Sequence, residues 1–417
     1  MATVFDFVCP NGQATEERAH ILAGCENKRG TPNGWWLMAI PLNSGQLGRQ
    51  SRGVIRPLTG AGKAEEGSSG ADCRQSCSAV SLEEVCLAPF KVVIADQPAA
   101  DHEVEAAALA ASGLSVDTVW LASRDSDRVL EHAADADALV MSWLPVTRLL
   151  IEELRRCRVI ARFGIGVDMI DLDAATQHGI LVCNTATYCL DEVSNHAIGL
   201  LLMLNRGLLC DIDAVRSGGW FRVGDSPPHR LHGQRLGLVG LGNIGKLVAH
   251  KARGFGLDVV AYDPYLRDRQ PSVDGTPLID LDDLLESADI VSLHCPLNAS
   301  TRHLLGAHEL AMMKPSAYLI NTSRGPVVDQ AALTEALAQH RLAGAGLDVF
   351  EVEPLPADDP LRGLDNVILT PHSASWSVES SLECRRVAVE HVVTVLRGGV
   401  PADVVNRAVL QQRAHAS

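Results

Sequence analysis

Three side chains of complementary chemistry follow short apolar runs toward the C-terminal end of the chain. They are Arg324 in "LINTSRGPVVD", Glu353 in "LDVFEVEPLP" and His372 in "ILTPHSA". A guanidinium holds a carboxylate or polarises a carbonyl, an imidazole exchanges a proton, and a carboxylate orients that imidazole and favours its charged form. Together they suit hydride transfer to a 2-oxo acid. Taken singly, each has a plainer role: a surface arginine, a solvated glutamate and a histidine capping a strand.

A glycine pattern supplies the seat for a hydride carrier. In "RLGLVGLGNIGKLVAH" the residues Gly240, Gly242 and Gly245 form GxGxxG between a strand-like run and a helix. The first glycine permits a tight turn, the second lets backbone approach a pyrophosphate, and the third lets helix and strand pack closely. The next apolar run, "LDVVAYDP", ends in Asp263, eighteen positions past the third glycine. A carboxylate there accepts hydrogen bonds from ribose hydroxyls and repels a 2′-phosphate, which points to NAD rather than NADP. An ordinary turn residue before Pro264 is the plainer alternative, and the spacing argues against it.

These groups can meet only if strands carry them to one edge. From Pro89 onward, strand-like runs ("FKVVIAD", "SVDTVW", "DALVMS", "RVIARFG", "ILVCN") alternate with helical segments such as "DHEVEAAALAAS", "TRLLIEELRR" and "LDAATQHG". A long helix-like stretch, "LDEVSNHAIGLLLMLNRGLLCDIDAVRSG", precedes a second series that runs from "QRLGLVGLGNIG" to "NVILTPH". Apolar strands alternating with helices predict parallel sheets covered on both faces, hence an α/β chain with two doubly wound parallel-sheet domains. Arg324, Glu353 and His372 then fall at C-terminal strand ends, where open α/β sheets place their ligands.

Composition bounds the alternatives. The chain has 417 residues, 47% of them hydrophobic, enough for two medium cores. A net charge of −15, from 51 acidic against 36 basic residues, gives no footprint for nucleic acid or an anionic membrane. No run approaches the length of a membrane span, and "MATVFDFVCPNGQATEE" has neither an export nor an import pattern, so a cytoplasmic protein is expected. Of the eleven cysteines, most beyond residue 90 sit in apolar runs, and Cys73, Cys77 and Cys86 lack paired CxxC spacing, so no metal is expected. Residues 1–88 are rich in Gly, Ser and Arg without sustained period and are expected to be poorly ordered, apart from an apolar cluster at Trp35 and Trp36.

The motifs closely resemble the signature of the D-isomer-specific 2-hydroxyacid dehydrogenases. The resemblance covers about residues 89 to 408 and rests on "ARFGIGVDMIDLDAATQHGI", "VGLGNIG", "VSLHCPLNASTRHLL", "LINTSRGPVVD", "GLDVFEVEP" and "LTPHSA", in the family's order and spacing. It implies a Rossmann NAD-binding domain, about 188–370, inserted in a flavodoxin-like substrate domain formed by 89–187 plus 371–408. It makes His372 the acid/base, Glu353 its partner and Arg324 the substrate anchor, with the amides of Ile165 and Gly166 holding the substrate carboxylate. It assigns cofactor contacts to Gly242, Asn243, Ile244, Asp263, His294, Pro296, Thr322 and Asp348, alongside Gly240 and Gly245 of the turn.

The same resemblance implies a homodimer built on "DEVSNHAIGLLLMLNR", in which Asn195 stands where an acidic residue is frequent. The chain ends soon after "PADVVNRAVL", without the regulatory domains appended to long phosphoglycerate dehydrogenases. Glyoxylate, hydroxypyruvate, phosphohydroxypyruvate and branched 2-oxo acids all stay open as substrates. Arg162, just before the Gly164 turn, is a candidate for an extra anionic contact or simply a solvated strand end. "PHSASWSVESSLECRR" also resembles the C-terminal-binding-protein corepressors, with Trp376 one place later than theirs. An NAD(H)-sensing assembly protein with little turnover is therefore the alternative.

Overall fold

A computed structural model of the chain describes residues 88–97, 101–220 and 228–416. The expectations for the N-terminal segment, Trp35, Trp36, Cys73, Cys77 and Cys86 included, lie outside the described residues.

The first sheet comprises β1 (Phe90–Ile94), β2 (Val116–Trp120), β3 (Ala138–Met141), β4 (Val159–Arg162) and β5 (Leu181–Cys183), all parallel in the order β2-β1-β3-β4-β5. Its helices are α1 (Glu103–Ala111), α2 (Ser126–Ala133), α3 (Arg148–Glu153) and α4 (Leu172–Gln177). Strands β3 and β5 are wholly apolar and buried because both faces are covered, whereas β2 at one edge carries Asp117 and Thr118 and buries no residue. Alternate residues Val93, Leu139, Ile160 and Val182 join the core under α2 to α4, while Val92, Ile94, Val140 and Ala161 face the other way. Helix starts are set by side-chain caps: Asp125 for α2, Thr147 for α3 and Asp171 for α4.

The predicted single long helix is two. Helix α5 (Leu190–Arg206) ends at Gly207, whose φ of +60° is left-handed, and α6 (Leu208–Arg216) starts anew. Glycine adopts that conformation without steric penalty, which is why the break falls there.

The second sheet opens with β6 (Arg235–Val239), α7 (Asn243–Gly254) and β7 (Asp258–Tyr262), followed by the short α8 (Pro264–Arg267) and an antiparallel pair, β8 (Ser272–Val273) and β9 (Thr276–Pro277). It continues through α9 (Leu281–Ser287), β10 (Ile290–Leu293), α10 (Ala307–Met312), β11 (Tyr318–Asn321), α11 (Gln330–Ala338), β12 (Gly344–Leu347) and β13 (Val367–Leu369). The six main strands are parallel in the order β13-β12-β11-β10-β6-β7. One face packs on α5 and α7 through Leu200, Leu201, Leu204, Val248 and Ala252, the other on α9 to α11. Each fully buried Leu, Ile or Val contributes about 1.5–3 kcal/mol relative to exposure.

The chain then returns to the first sheet. Helix α12 (Val378–Leu396), started by a Ser377 capping box, lays Cys384, Ala388, Val392 and Leu396 on the face opposite α2 to α4, and α13 (Ala408–Ala416) follows. A buried ion pair, Arg385 Nε to Glu105 Oε1 at 2.6 Å, fastens α12 to α1. Among the described residues no helix is long and apolar enough to cross a membrane.

Strand order reverses between β1 and β3 in one sheet and between β6 and β10 in the other. Ligand crevices of doubly wound sheets open at such points.

Candidate active site

Beyond β4 the chain forms the loop Phe163 to Gly166. Gly164 has a φ of +145°, donates from its N–H to Thr185 Oγ1 at 2.9 Å and accepts from the Thr185 N–H at 3.1 Å. The Ile165 carbonyl accepts from Asn184 Nδ2 at 2.6 Å. These ties satisfy the loop from behind, and the N–H groups of Ile165 and Gly166 make no hydrogen bond among the described residues. Unpartnered donors of residues that line a cavity suit an anion.

Arg324 reaches the same loop from the second sheet. The turn after β11 is built by buried Asn321, which accepts from Ser323 N–H at 3.0 Å and donates to the Arg324 carbonyl at 2.9 Å. The guanidinium donates from Nε to Asp168 Oδ1 at 2.9 Å and from Nη1 to the Ser323 carbonyl at 2.8 Å. A Cβ on Gly166 would stand 1.7 Å from Arg324 Nη2, so only glycine admits the guanidinium against the loop. Burial opposes ionisation of Asp168, but the charge and hydrogen bond of Arg324 hold its carboxyl below the usual range.

His372 follows β13, and its Nδ1 lies 2.6 Å from Glu353 Oε2. The other Glu353 oxygen accepts from the Phe350 N–H at 2.9 Å. The His372 backbone has a φ of +52°, an unfavourable conformation for a side chain bearing Cβ, held by its N–H donating to the Asp348 carbonyl at 2.8 Å. The fully buried Asp348 carboxylate organises the same turn, accepting from Thr370 Oγ1 at 2.6 Å and from the Ser373 and Ala374 amides at 2.9 Å. From the first sheet, the edge of Trp143 meets the imidazole at a centroid separation of 4.8 Å.

At the β6 to α7 turn the three glycines have distinct surroundings. Gly240 has a φ of +96°, Gly242 has open space where a Cβ would stand, and a Cβ on Gly245 would lie 2.4 Å from the Gly240 carbonyl oxygen. Asp263 accepts from Leu241 N–H at 3.0 Å and caps α8 through the Tyr265 and Leu266 amides. His294 follows β10, with Nε2 2.9 Å from Ser292 Oγ; burial pushes its pKa down to about 4, so it is neutral at pH 7.

One cavity of about 1230 Å³ joins these groups. Ile165, Gly166, Arg324, Glu353 and His372 line it, as do Gly242, Asn243, Ile244, His294, Pro296, Thr322 and Asp348. Gly240, Gly245 and Asp263 stand behind the lining, where they shape the turn.

Residues 198–374 match the model of the D-isomer specific 2-hydroxyacid dehydrogenase NAD binding domain. The chain is 40% identical over 290 residues to a glyoxylate reductase of Korarchaeum cryptofilum, covering 68% of this chain and 87% of the relative. The chain belongs to the D-isomer-specific 2-hydroxyacid dehydrogenase family. It is an oxidoreductase that works with a nicotinamide dinucleotide. A D-3-phosphoglycerate dehydrogenase of Methanocaldococcus jannaschii is 39% identical over 282 residues, 67% of this chain and 53% of that protein, so the chain spans about half the length of such relatives. A D-lactate dehydrogenase of Aquifex aeolicus, solved with NAD and lactic acid, superposes with a TM-score of 0.65 at 29% identity, covering 74% of this chain and 96% of that one.

The crevice of this 2-hydroxyacid dehydrogenase fits a dinucleotide on its own geometry. Gly242 leaves room for a pyrophosphate at the N-terminus of α7. Thr322 Oγ1 is buried at the cavity without a hydrogen-bond partner among the described residues, a polar atom prepared for a ligand.

Asp168, Trp143 and Thr370 were not legible as site residues. Asp168 sits within the quoted "GVDMID" motif, where its pairing with Arg324 could have been suspected. A single Trp143 after β3 carries no signal. Asn195 lies on exposed α5 surface, where Lys251 Nζ donates to its Oδ1 and to Asp191 Oδ1, both at 2.6 Å.

Proposed function

We propose that the chain interconverts a small D-2-hydroxy acid and its 2-oxo acid with NAD, His372 exchanging the proton. The observation that carries this reading is the His372 to Glu353 contact at 2.6 Å, which engages Nδ1 and leaves Nε2 with no partner among the described residues. The substrate carboxylate rests on the Ile165 and Gly166 amides beside Arg324, and its carbonyl oxygen lies between Arg324 and His372. When bound, the nicotinamide supplies or accepts the hydride. His372 donates its Nε2 proton to the oxygen in reduction and takes it back in oxidation, a role typically contributing about 10²–10⁴-fold. Glu353 keeps the imidazole oriented, and Arg324 stabilises the developing negative charge, worth about 10²–10³-fold for one such donor elsewhere.

The Asp263 carboxylate at the end of β7 supports NAD over NADP, since it would repel a 2′-phosphate. We assign residues 89–187 with 371–408 to the substrate domain and 188–370 to the nucleotide domain, with His372 at their junction. Helix α6 buries no residue and exposes Leu208, Ile212 and Val215 along one stripe, which supports a homodimer.

The test is NADH oxidation against glyoxylate, hydroxypyruvate, phosphohydroxypyruvate and branched 2-oxo acids, with His372→Gln as control. Saturable turnover abolished in the variant is expected. Tight NADH binding without turnover on any acid would overturn the reading in favour of an NAD(H)-sensing assembly role.

A further inference from the structure

A histidine from outside the second sheet reaches the turn that carries His372. It is His196 on α5, the helix by which the chain leaves the first sheet. Its Nε2 lies 3.0 Å from Thr370 Oγ1 and 3.6 Å from Asp348 Oδ1. The period of α5 sets this placement. Val193, three residues earlier, clusters with Ala374 of the turn, and the Cβ of Leu200, four residues later, lies 3.0 Å from where a Cβ on Gly346 of β12 would stand. Residues three and four apart share a helix face, so His196 lies on the stripe that α5 turns toward β12 and the turn beyond β13.

Counting protons fixes the direction of the contact. A threonine hydroxyl has one proton to give. Thr370 donates it to Asp348 Oδ1 at 2.6 Å, so across the 3.0 Å contact the imidazole is the donor and His196 carries a proton on Nε2. The relay ends on a fully buried carboxylate that also accepts the Ser373 and Ala374 amides, both at 2.9 Å, while the Asp348 carbonyl accepts the His372 N–H at 2.8 Å. Hydrogen bonds in such a chain polarise and strengthen one another. His196 is also the one ion-pairing group that reaches Asp348 among the described residues.

The turn needs a brace, because His372 has a φ of +52°, unfavourable for a residue bearing Cβ. Its relaxation would swing the imidazole away from Glu353. His196 stands behind the cavity lining that Thr370, Asp348 and His372 form, so it acts on the reaction only through them.

We propose that His196 is a positioning residue of the reaction. By donating from Nε2 to Thr370 it locks the hydroxyl onto Asp348 and so holds the turn that aims His372 at the substrate oxygen. This rests on the acid/base reading of His372 above. His196→Gln can present an amide N–H near the same point and His196→Ala cannot, while Thr370→Val keeps the shape of the side chain and removes the relay.

The experiment compares the full chain with His196→Ala, His196→Gln, Thr370→Val and the double variant that combines His196→Ala with Thr370→Val. It measures NADH Kd by fluorescence titration, glyoxylate kinetics and the NMR resonance of the His372 Cε1 carbon, assigned by its absence from His372→Gln. Expected for His196→Ala is a kcat lowered about ten- to a hundredfold at near wild-type NADH Kd and glyoxylate KM, the scale of a small displacement of a reacting group. His196→Gln should recover most of that loss. The double variant should be no slower than Thr370→Val, since both changes cut one chain of bonds. A wild-type kcat in His196→Ala would overturn the proposal, as would losses that multiply in the double variant or a His196→Gln as slow as His196→Ala. If the wild type binds NADH but reduces no 2-oxo acid, the functional reading fails separately. The resonance then decides: a His372 signal moved by His196→Ala and restored by His196→Gln supports the brace, and an unmoved signal overturns it.

Discussion

His372 and Glu353, 19 residues apart in the chain, bring Nδ1 and Oε2 to 2.6 Å across the ends of two strands. Burial opposes ionisation of Glu353, yet the hydrogen bond and charge of His372, the Phe350 amide and the charge of Arg324 hold the carboxyl below its ordinary value. Glu353→Gln keeps the shape and removes the charge. We expect kcat to fall by about 10²–10⁴-fold with NADH affinity unchanged, measured by steady-state kinetics and fluorescence titration. A depressed carboxyl contributes stability above its ordinary value of 4.5, lost as pH falls through the lower folded value, so the variant should also soften the acid limb of unfolding.

Trp143 approaches the imidazole edge-on at 4.8 Å from a different sheet. An aromatic contact of this kind is worth about 0.5–1.5 kcal/mol, or up to roughly tenfold. Trp143→Leu should lower kcat by up to about tenfold and leave the NADH Kd unchanged. Unaltered kcat would remove the ring from the positioning of His372.

Gly166 has no room for a methyl group, since its Cβ would lie 1.7 Å from Arg324 Nη2. Gly166→Ala should displace the guanidinium and reduce kcat/KM by about 10²–10³-fold, the scale of losing one charge-stabilising donor. Circular dichroism melting separates this local effect from a folding defect.

Asp263 accepts three backbone N–H groups and retains acceptor capacity for a ribose hydroxyl. Asp263→Ala should narrow the ratio of kcat/KM for NADH over NADPH by at least about tenfold, since each 1.4 kcal/mol is a factor of ten. An unchanged ratio would count against its role in cofactor choice.

Burial pushes His294 from its ordinary 6.5 to about 4. The unfolded chain therefore takes up a proton that the folded chain refuses between those values. The histidine's contribution is present above pH 6.5 and lost as pH falls through about 4. Melting temperatures measured across that window should decline, and His294→Asn should flatten part of the decline.

The parallel sheets, the glycine turn at Gly240 to Gly245 and the strand-end positions of Arg324, Glu353 and His372 were legible in the amino-acid sequence. Each depends on local properties: apolar runs make buried strands, and glycine spacing makes a turn before a helix. The break at Gly207 was harder to read, because a glycine inside a helical pattern can be tolerated or can end the helix, and only packing chooses.

What tertiary structure alone decided is which groups of the two sheets meet. Asp168 reaches Arg324 across 156 residues, and Trp143 reaches His372 from another sheet. Arg162 was legible as a strand-end cation, but its burial is a property of the assembled crevice. Local periodicity encodes which residues face inward. It does not encode which inward-facing groups of two separate sheets come within hydrogen-bonding distance.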